Sequence, residues 1–206
     1  MSASRAGALA VVAAAVLSAG CSLFTPVKTE TTTYVVDKVP AGLRAEPARQ
    51  VGLSVQAVQA APLHATRRMV YSTQPHQVGH FNDSEWALPP ARMIEPLLVE
   101  TLRRTGRFSD VASPSEPARG LFLLRSELVE FTQDFTSQPA TFRLRMRFSI
   151  EGATGRQVVA TRELSQNEPL REATARAGVD AANEATEKLL RELAVFAVDH
   201  TNAGIP

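Results

Sequence analysis

The sequence is poor in cysteine and tryptophan, with only one residue of each among its 206 residues. A single cysteine cannot form an internal disulfide, which excludes a small disulfide-stapled secreted scaffold. The chain also lacks an excess of charge of either sign, since 22 basic residues face 21 acidic ones. This balance disfavours a nucleic-acid-binding protein, which needs a basic surface. With 44% hydrophobic residues, the composition is that of a globular domain.

The familiar catalytic motifs are missing as well. There is no glycine-rich phosphate loop, no cysteine and histidine zinc cluster and no nucleophile elbow. The nearest approach to a metal site is His76, His80 and Asp83. Two imidazoles four residues apart converge only on a helix, and Pro75 and Gly79 disfavour a helix here. The sequence therefore predicts neither a metal centre nor an enzyme.

A signal-peptide pattern occupies the N terminus. Arg5 is followed by an uncharged run rich in alanine, valine and leucine over residues 6–20, and then by Cys21. The run is shorter than the roughly 20 residues that a membrane-spanning helix needs. The sequence Leu17-Ser18-Ala19-Gly20-Cys21 resembles a bacterial lipobox. That resemblance implies cleavage between Gly20 and Cys21 and acylation of Cys21.

Acylation would anchor the mature chain to a membrane without spanning it, because two or three acyl chains bind stably. One departure from the lipobox is Ser18, which stands where a large aliphatic residue is usual. The alternative is an ordinary signal peptide that is cut after Ala19 or Gly20 and leaves a free thiol. Removal of residues 1–20 leaves 186 residues with no net formal charge. Ser22 after the cysteine resembles the pattern that is sorted to the outer membrane in enteric bacteria.

The remaining chain divides into a stalk at residues 21–33, a globular domain at 34–200 and a short tail at 201–206. Residues 22–33 are polar and rich in threonine, as in flexible linkers. Hydrophobic patterns predict two helices and five to seven strands, which together form an α+β domain: a mixed or antiparallel sheet with both helices on one face. The helices are predicted at residues 91–105 and 171–199, the first kinked by Pro96. The strands are predicted at residues 34–39, 51–58, 66–72, 77–81, 121–131, 141–150 and 157–164.

The strand at residues 141–150 alternates strictly, so that Arg143, Arg145 and Arg147 share its polar face. Such a stripe could bind acidic groups of a partner or a phospholipid headgroup. The alternative is a solvated strand face whose charge is balanced by neighbours such as Glu163. Trp86 is a second candidate for partner binding, as an exposed aromatic anchor, and its alternative place is the hydrophobic core.

The block at residues 86–111 resembles the ABC-type transport auxiliary lipoprotein family. Further similarity lies at residues 33–37, 128–131 and 166–169, followed by a helix in which Phe196 replaces the tryptophan that members often carry. The positions of the block that fit the family are Trp86, Pro89, Pro90, Leu97, Leu98, Leu102, Gly106, Phe108 and Val111.

This resemblance implies a non-catalytic protein that works with a permease, a separate ATPase and a mammalian-cell-entry type periplasmic substrate-binding protein. Such systems move lipids or other hydrophobic compounds across the Gram-negative envelope. We therefore expect a lipid-anchored protein on the periplasmic side of the outer membrane, with no cofactor besides the lipid on Cys21 and no nucleic-acid partner. Edge strands are compatible with a homo-oligomer. The alternatives are an outer-membrane assembly or cell-wall regulatory lipoprotein of similar fold, and an envelope hydrolase with an unrecognised site.

Overall fold

The computed structural model describes residues 30–43, 49–117, 120–152, 154 and 157–201. Within these residues, nine strands form one sheet and two long helices accompany it. A single turn of 3₁₀ helix, Pro62–His64, follows the third strand. The helices are α1 (Pro90–Arg104) and α2 (Ala175–His200). The strands are β1 (Thr32–Tyr34), β2 (Arg49–Val55), β3 (Gln59–Ala60), β4 (Arg68–Ser72), β5 (Gly79–Trp86), β6 (Phe108–Ala112), β7 (Phe122–Asp134), β8 (Thr141–Gly152) and β9 (Val158–Pro169).

Strand β7 is the centre of the sheet. Along one side it pairs antiparallel with β8, which in turn pairs antiparallel with β9. Along its other side it pairs in parallel with β2, then β3, then β4. Strand β6 extends the sheet beside β2, and β5 and β1 extend it beside β4. The sheet is therefore mixed, and the predicted α+β class is confirmed.

The core lies between the sheet and the helices. The alternation predicted for β8 is confirmed, because Phe142, Leu144, Met146, Phe148 and Ile150 are all buried. Cross-strand pairing of Leu144 with Phe131 and of Met146 with Leu128 extends this apolar face to β7. Burying one large apolar side chain stabilises the fold by about 1.5 to 3 kcal/mol, so this face is a main source of stability.

Helix α2 covers the apolar face of β8 and β9. The predicted stripe of apolar and small residues along it is confirmed, since Val179, Ala182, Thr186, Leu189, Leu193 and Phe196 are all buried. The helix begins later than predicted, at Ala175, because the Thr174 hydroxyl accepts a hydrogen bond from the Ala177 amide and caps it. At the other end, buried Thr201 donates its hydroxyl to the Ala197 carbonyl, so it belongs to the helix end and not to a tail.

Helix α1 runs without a break through Pro96, where the sequence predicted a kink or an irregular turn. The Pro96 side chain is exposed, and so is the neighbouring Arg92. Proline has no amide hydrogen to donate to the Arg92 carbonyl, and this carbonyl lies on the solvent-exposed side of the helix. Gly106 supplies the predicted stop with a left-handed backbone, φ 64°.

The first strand differs from the prediction of residues 34–39. It covers Thr32–Tyr34 and pairs with β5, so Thr32 and Thr33 belong to the sheet and not to the stalk. Residues 35–40 lie outside any strand, and there the side chain of Asn183 on α2 binds the amides of Asp37 and Lys38. Strands β5, β7 and β9 are also longer than the patterns indicated.

Candidate docking surface

The sheet face opposite the helices carries a ladder of charged side chains across β7, β8 and β9. Arg147 bridges Glu127 and Glu163, each at 3.0 Å, and Arg145 lies 3.2 Å from Glu130 and 3.8 Å from Glu163. These pairs form because the antiparallel register places β7 and β9 acids on either side of the β8 arginines. We call this face the charge ladder; its members are Arg125, Glu127, Glu130, Asp134, Arg143, Arg145, Arg147, Glu151 and Glu163.

The end of the ladder is the most buried part. Arg143 pairs with Asp134, whose side chain is only 3% exposed. Burial by itself would raise the pKa of Asp134, but hydrogen bonds from the Thr136 hydroxyl and amide, together with the Arg143 guanidinium, hold that pKa below its usual value. Asp134 is therefore ionised at neutral pH and fixes Arg143.

The ladder has four arginines against five acidic residues, so it is not a positive ribbon. Glu163 pairs with Arg145 and Arg147, as a charge-balanced strand face requires. The three β8 guanidiniums remain about half-exposed, but each already has a carboxylate within 4.0 Å. Partner binding through Arg143, Arg145 and Arg147 stays a prediction, and it would have to compete with these internal ion pairs.

Trp86 does not lie on the surface. Its side chain is 2% exposed, and its ring centroid lies 5.3 Å from that of Phe131 in the core. The suggestion of an exposed aromatic anchor at this position is corrected, because the end of β5 places the indole in the hydrophobic core beside Phe131. Tryptophan occurs both in protein cores and at interfaces, and a single sequence does not distinguish the two places.

Shallow grooves border the ladder on both sides. One of about 500 Å³ lies beside Arg125 and Arg147, and another of about 400 Å³ lies beside Arg143 and Arg145. A larger groove of about 740 Å³ lies across the molecule, between the start of α2, the end of β9 and residues Asp37 and Lys38. All three are open and lined mostly by polar or charged residues, unlike the enclosed apolar pockets that hold small molecules.

Asn183 fixes the segment through which the N-terminal part enters the domain. Its side-chain oxygen accepts hydrogen bonds from the amides of Asp37 (3.0 Å) and Lys38 (3.2 Å), while its nitrogen donates to the Val35 carbonyl (3.3 Å). Arg191, two turns further along α2, donates to the Ala41 carbonyl at 3.0 Å. Sequence reasoning missed this role, although a polar Asn183 inside the apolar stripe of α2 was a signal.

His64 is a second residue that sequence reasoning missed. It is 4% exposed, and its Nε2 accepts a hydrogen bond from the Phe131 amide at 3.3 Å. The bond lies next to the irregularity in β7 between Leu128 and Glu130, where the register with β8 shifts. Burial lowers the pKa of His64 to about 4, so the ring is neutral at physiological pH. The imidazole acts as a structural acceptor that completes the sheet beside the bulge.

Across the described ranges, no group of three or more histidine, cysteine or acidic residues could hold a metal ion. None of the helices in the same ranges is both long and apolar enough to cross a membrane. Gly20 and Cys21, the predicted cleavage and lipidation residues, lie outside the described residues, so their roles stay predictions.

A family model shows to which protein family the chain belongs. The model of the ABC-type transport auxiliary lipoprotein component matches residues 34–194, which is most of the domain just described. The chain belongs to this family. The match confirms the resemblance seen in the sequence. It identifies the chain as a lipoprotein component of an ABC-type transport system of the cell envelope. A comparison with curated proteins finds no match.

Solved structures show the same fold for this auxiliary lipoprotein. Protein XCC0632 from Xanthomonas campestris superposes with a TM-score of 0.70 at 19% identity, over 82% of this chain and 95% of that one. Another crystal structure, of an uncharacterized protein, gives 0.65 at 16% identity, over 82% and 99% of the two chains. The hypothetical protein CT253 from Chlamydia trachomatis gives 0.53 at 9% identity, over 76% and 100%. At these identities the likeness concerns the fold alone.

Proposed function

We propose that this protein is the lipid-anchored, non-catalytic docking subunit of a mammalian-cell-entry type system that moves lipids or other hydrophobic compounds across the Gram-negative envelope. The family match over residues 34–194 carries the proposal. The partners would be the periplasmic substrate-binding protein of that system and, through it, a permease and an ATPase. We assign cargo handling to those partners, because the grooves described above are open and lined mostly by polar or charged residues.

A structural role fits the way the charged groups are used. The charge ladder pairs its arginines with its own acidic residues, and His64 and Asn183 serve as hydrogen-bonding partners of the main chain. An acid–base catalyst needs a titratable group with access to a substrate. His64, whose pKa is the most clearly shifted, is instead sealed in the core.

The anchor part of the proposal rests on Cys21. Its thiol would take a diacylglycerol before cleavage between Gly20 and Cys21, and the amine that cleavage frees would take a third acyl chain. The domain would then be held at the periplasmic side of the outer membrane. Two or three acyl chains would retain the domain at the membrane without a spanning helix. We expect Cys21→Ser to abolish acylation and to move the domain into soluble or precursor fractions. Ser22→Ala is the matched control, because it changes the neighbouring residue and leaves the thiol.

Fractionation and intact-mass measurement test this directly. The mature wild-type protein should carry the mass of its acyl chains and sediment with outer membranes. A Cys21→Ser protein that is processed normally and still sediments with membranes would refute the anchor. Sedimentation of the acylated wild-type protein with inner membranes would refute only the assignment to the outer membrane.

A further inference from the structure

Four strands have only one neighbour in the described part of the chain, and their free edges differ in length and in how well they are covered. Strands β1 and β3 are only three and two residues long. The edge at β6 is covered by Arg103, whose guanidinium donates to the Val111 carbonyl at 2.9 and 3.2 Å. Strand β9, in contrast, has 12 residues and pairs only with β8. A long edge with no proline in its interior and no covering element is a template for another strand.

The main-chain groups that β9 offers can be identified from its register. The Leu170 amide donates to the Ala140 carbonyl at 2.8 Å, and Thr141 lies opposite Pro169. In an antiparallel pair alternate residues direct both main-chain groups to the same neighbour, so even-numbered residues of β9 face β8. The odd-numbered residues direct their amides and carbonyls away from the sheet; those with both groups are Thr161, Glu163, Ser165 and Asn167.

Most polar side chains of β9 already have partners within this chain. Glu163 pairs with two arginines of the charge ladder, the Gln166 amide donates to Glu192 at 2.6 Å, and Glu168 binds Lys188. Arg162, in the middle of the strand, is exposed and has no ion pair or hydrogen bond with any described residue. The edge therefore presents free main-chain groups around one unpaired cation.

The start of β9 adds an apolar contact. Val158 and Val159 are 56% and 43% exposed, and their place in the strand is next to the irregularity in the pairing with β8. An incoming strand that paired with the odd-numbered residues would contact these two valine side chains. Directly opposite side chains in an antiparallel pair lie about 4.5 to 5.5 Å apart, within reach of Arg162 for a carboxylate.

We propose that β9 accepts an extended segment of another subunit of the transport system, which continues the sheet and places a carboxylate beside Arg162. This inference rests on the proposed function and adds to it the contact surface and the chemistry of the segment. Affinity would come from main-chain hydrogen bonds and selectivity from the acidic side chain and from apolar residues near Val158.

A second copy of this chain fits the edge less well. Antiparallel self-pairing centred on Arg162 or on Glu163 brings like charges face to face, which destabilises a sheet. Pairing centred on Ser165 would put Arg162 opposite the copy's Glu168. That carboxylate already accepts hydrogen bonds from Lys188 at 2.7 and 2.8 Å, and its side chain is 12% exposed. A different protein with a free carboxylate satisfies Arg162 better.

The test uses the full-length protein in native membranes. A photoreactive phenylalanine replaces Ser165 on the β9 edge or, as a position control, exposed Asp110 on the covered β6 edge. Two pairs of variants then probe the contact. Ser165→Pro removes an outward amide and leaves the pairing with β8, whereas Ser165→Ala keeps that amide. Arg162→Glu reverses the free charge, and Arg171→Glu makes the same charge change at an exposed loop position.

We expect cross-linking from Ser165, and not from Asp110, to an extended acidic segment of a subunit that co-purifies with the permease and ATPase. Ser165→Pro should abolish retention of that subunit, and Arg162→Glu should lower it about fivefold, while both controls retain it. Equal unfolding temperatures of Ser165→Pro and Ser165→Ala would show that the sheet is intact.

Two results would overturn the β9 proposal alone: a cross-link from Ser165 to a second copy of the chain, or full retention of transport subunits by Ser165→Pro and Arg162→Glu. Absence of any transport subunit from the wild-type preparation would overturn the proposed function and this inference with it.

Discussion

Buried His64 makes stability depend on pH in a window that can be calculated. Its pKa is lowered from 6.5 to about 4 in the folded protein, because burial disfavours the charged ring. The folded state therefore binds fewer protons than the unfolded state between pH 4 and 6.5, and stability rises with pH in this range. A displacement of about 2.5 pKa units corresponds to about 3 kcal/mol in total, of which about 2 kcal/mol are lost between pH 7.5 and 5.

Denaturant unfolding of the wild-type protein at several pH values from 7.5 to 5 measures this loss. Most carboxylates stay ionised above pH 5, so their contribution is small. His64→Gln keeps a neutral acceptor for the Phe131 amide and should flatten the pH dependence. His64→Leu should also flatten it, at a cost of about 1 to 3 kcal/mol at every pH, because that amide loses its partner.

His76→Asn provides the matched control. His76 lies in an exposed loop with a left-handed backbone, φ 64°, which asparagine tolerates well. This variant should keep the pH dependence of the wild-type protein. The reasoning fails if stability is flat between pH 7.5 and 5, or if His64→Gln loses stability with falling pH as steeply as His76→Asn does.

Three further predictions concern the contacts and the backbone of the two helices. A Cβ at Gly178 would lie 2.0 Å from the Gln133 side chain, so Gly178→Ala should lower the free energy of unfolding by about 2 kcal/mol in denaturant unfolding. Adding Gln133→Ala should restore most of the lost stability. An equal effect of Gly178→Ala with glutamine or alanine at position 133 would contradict this contact. Asn183→Ala should cost about 1 to 3 kcal/mol and expose residues 35–41 to proteases; unchanged proteolysis would refute the clamp. Pro96→Ala should raise the free energy of unfolding by about 1 to 3 kcal/mol, and with it the unfolding temperature, because it restores a hydrogen-bond donor inside α1. A lower unfolding temperature would show that proline is needed there.

Local patterns predicted most of the secondary structure but not its arrangement. The alternation in β8 and the stripe of α2 are properties of one segment, and both are confirmed. The pairing of Arg147 with Glu163 follows from the short β8–β9 hairpin, so it was accessible as well. The central place of β7 was not, because its three parallel neighbours reach it from distant parts of the chain.

The less predictable parts of the candidate site depend on contacts that are distant in sequence. Asn183 binds the amides of Asp37 and Lys38, nearly 150 residues away, in a segment that does not continue β1 as a strand. His64 meets Phe131 only after the sheet has formed. The sequence alone leaves both a core and a surface position open for Trp86, and the burial of its side chain is known only once the strands are placed. The free edge of β9 is a property of the whole sheet, because it depends on which strands have no second neighbour.

The central claim is that this lipoprotein is a docking subunit of a transport system, and affinity purification from gently solubilised native membranes tests it most directly. The lipidated protein, with a tag at its C terminus, is washed at moderate salt and everything that remains bound is identified by mass spectrometry. The account predicts recovery of a mammalian-cell-entry type substrate-binding protein together with a permease and an ATPase. Recovery of only barrel-assembly or cell-wall proteins would contradict it and favour an assembly or cell-wall regulatory lipoprotein.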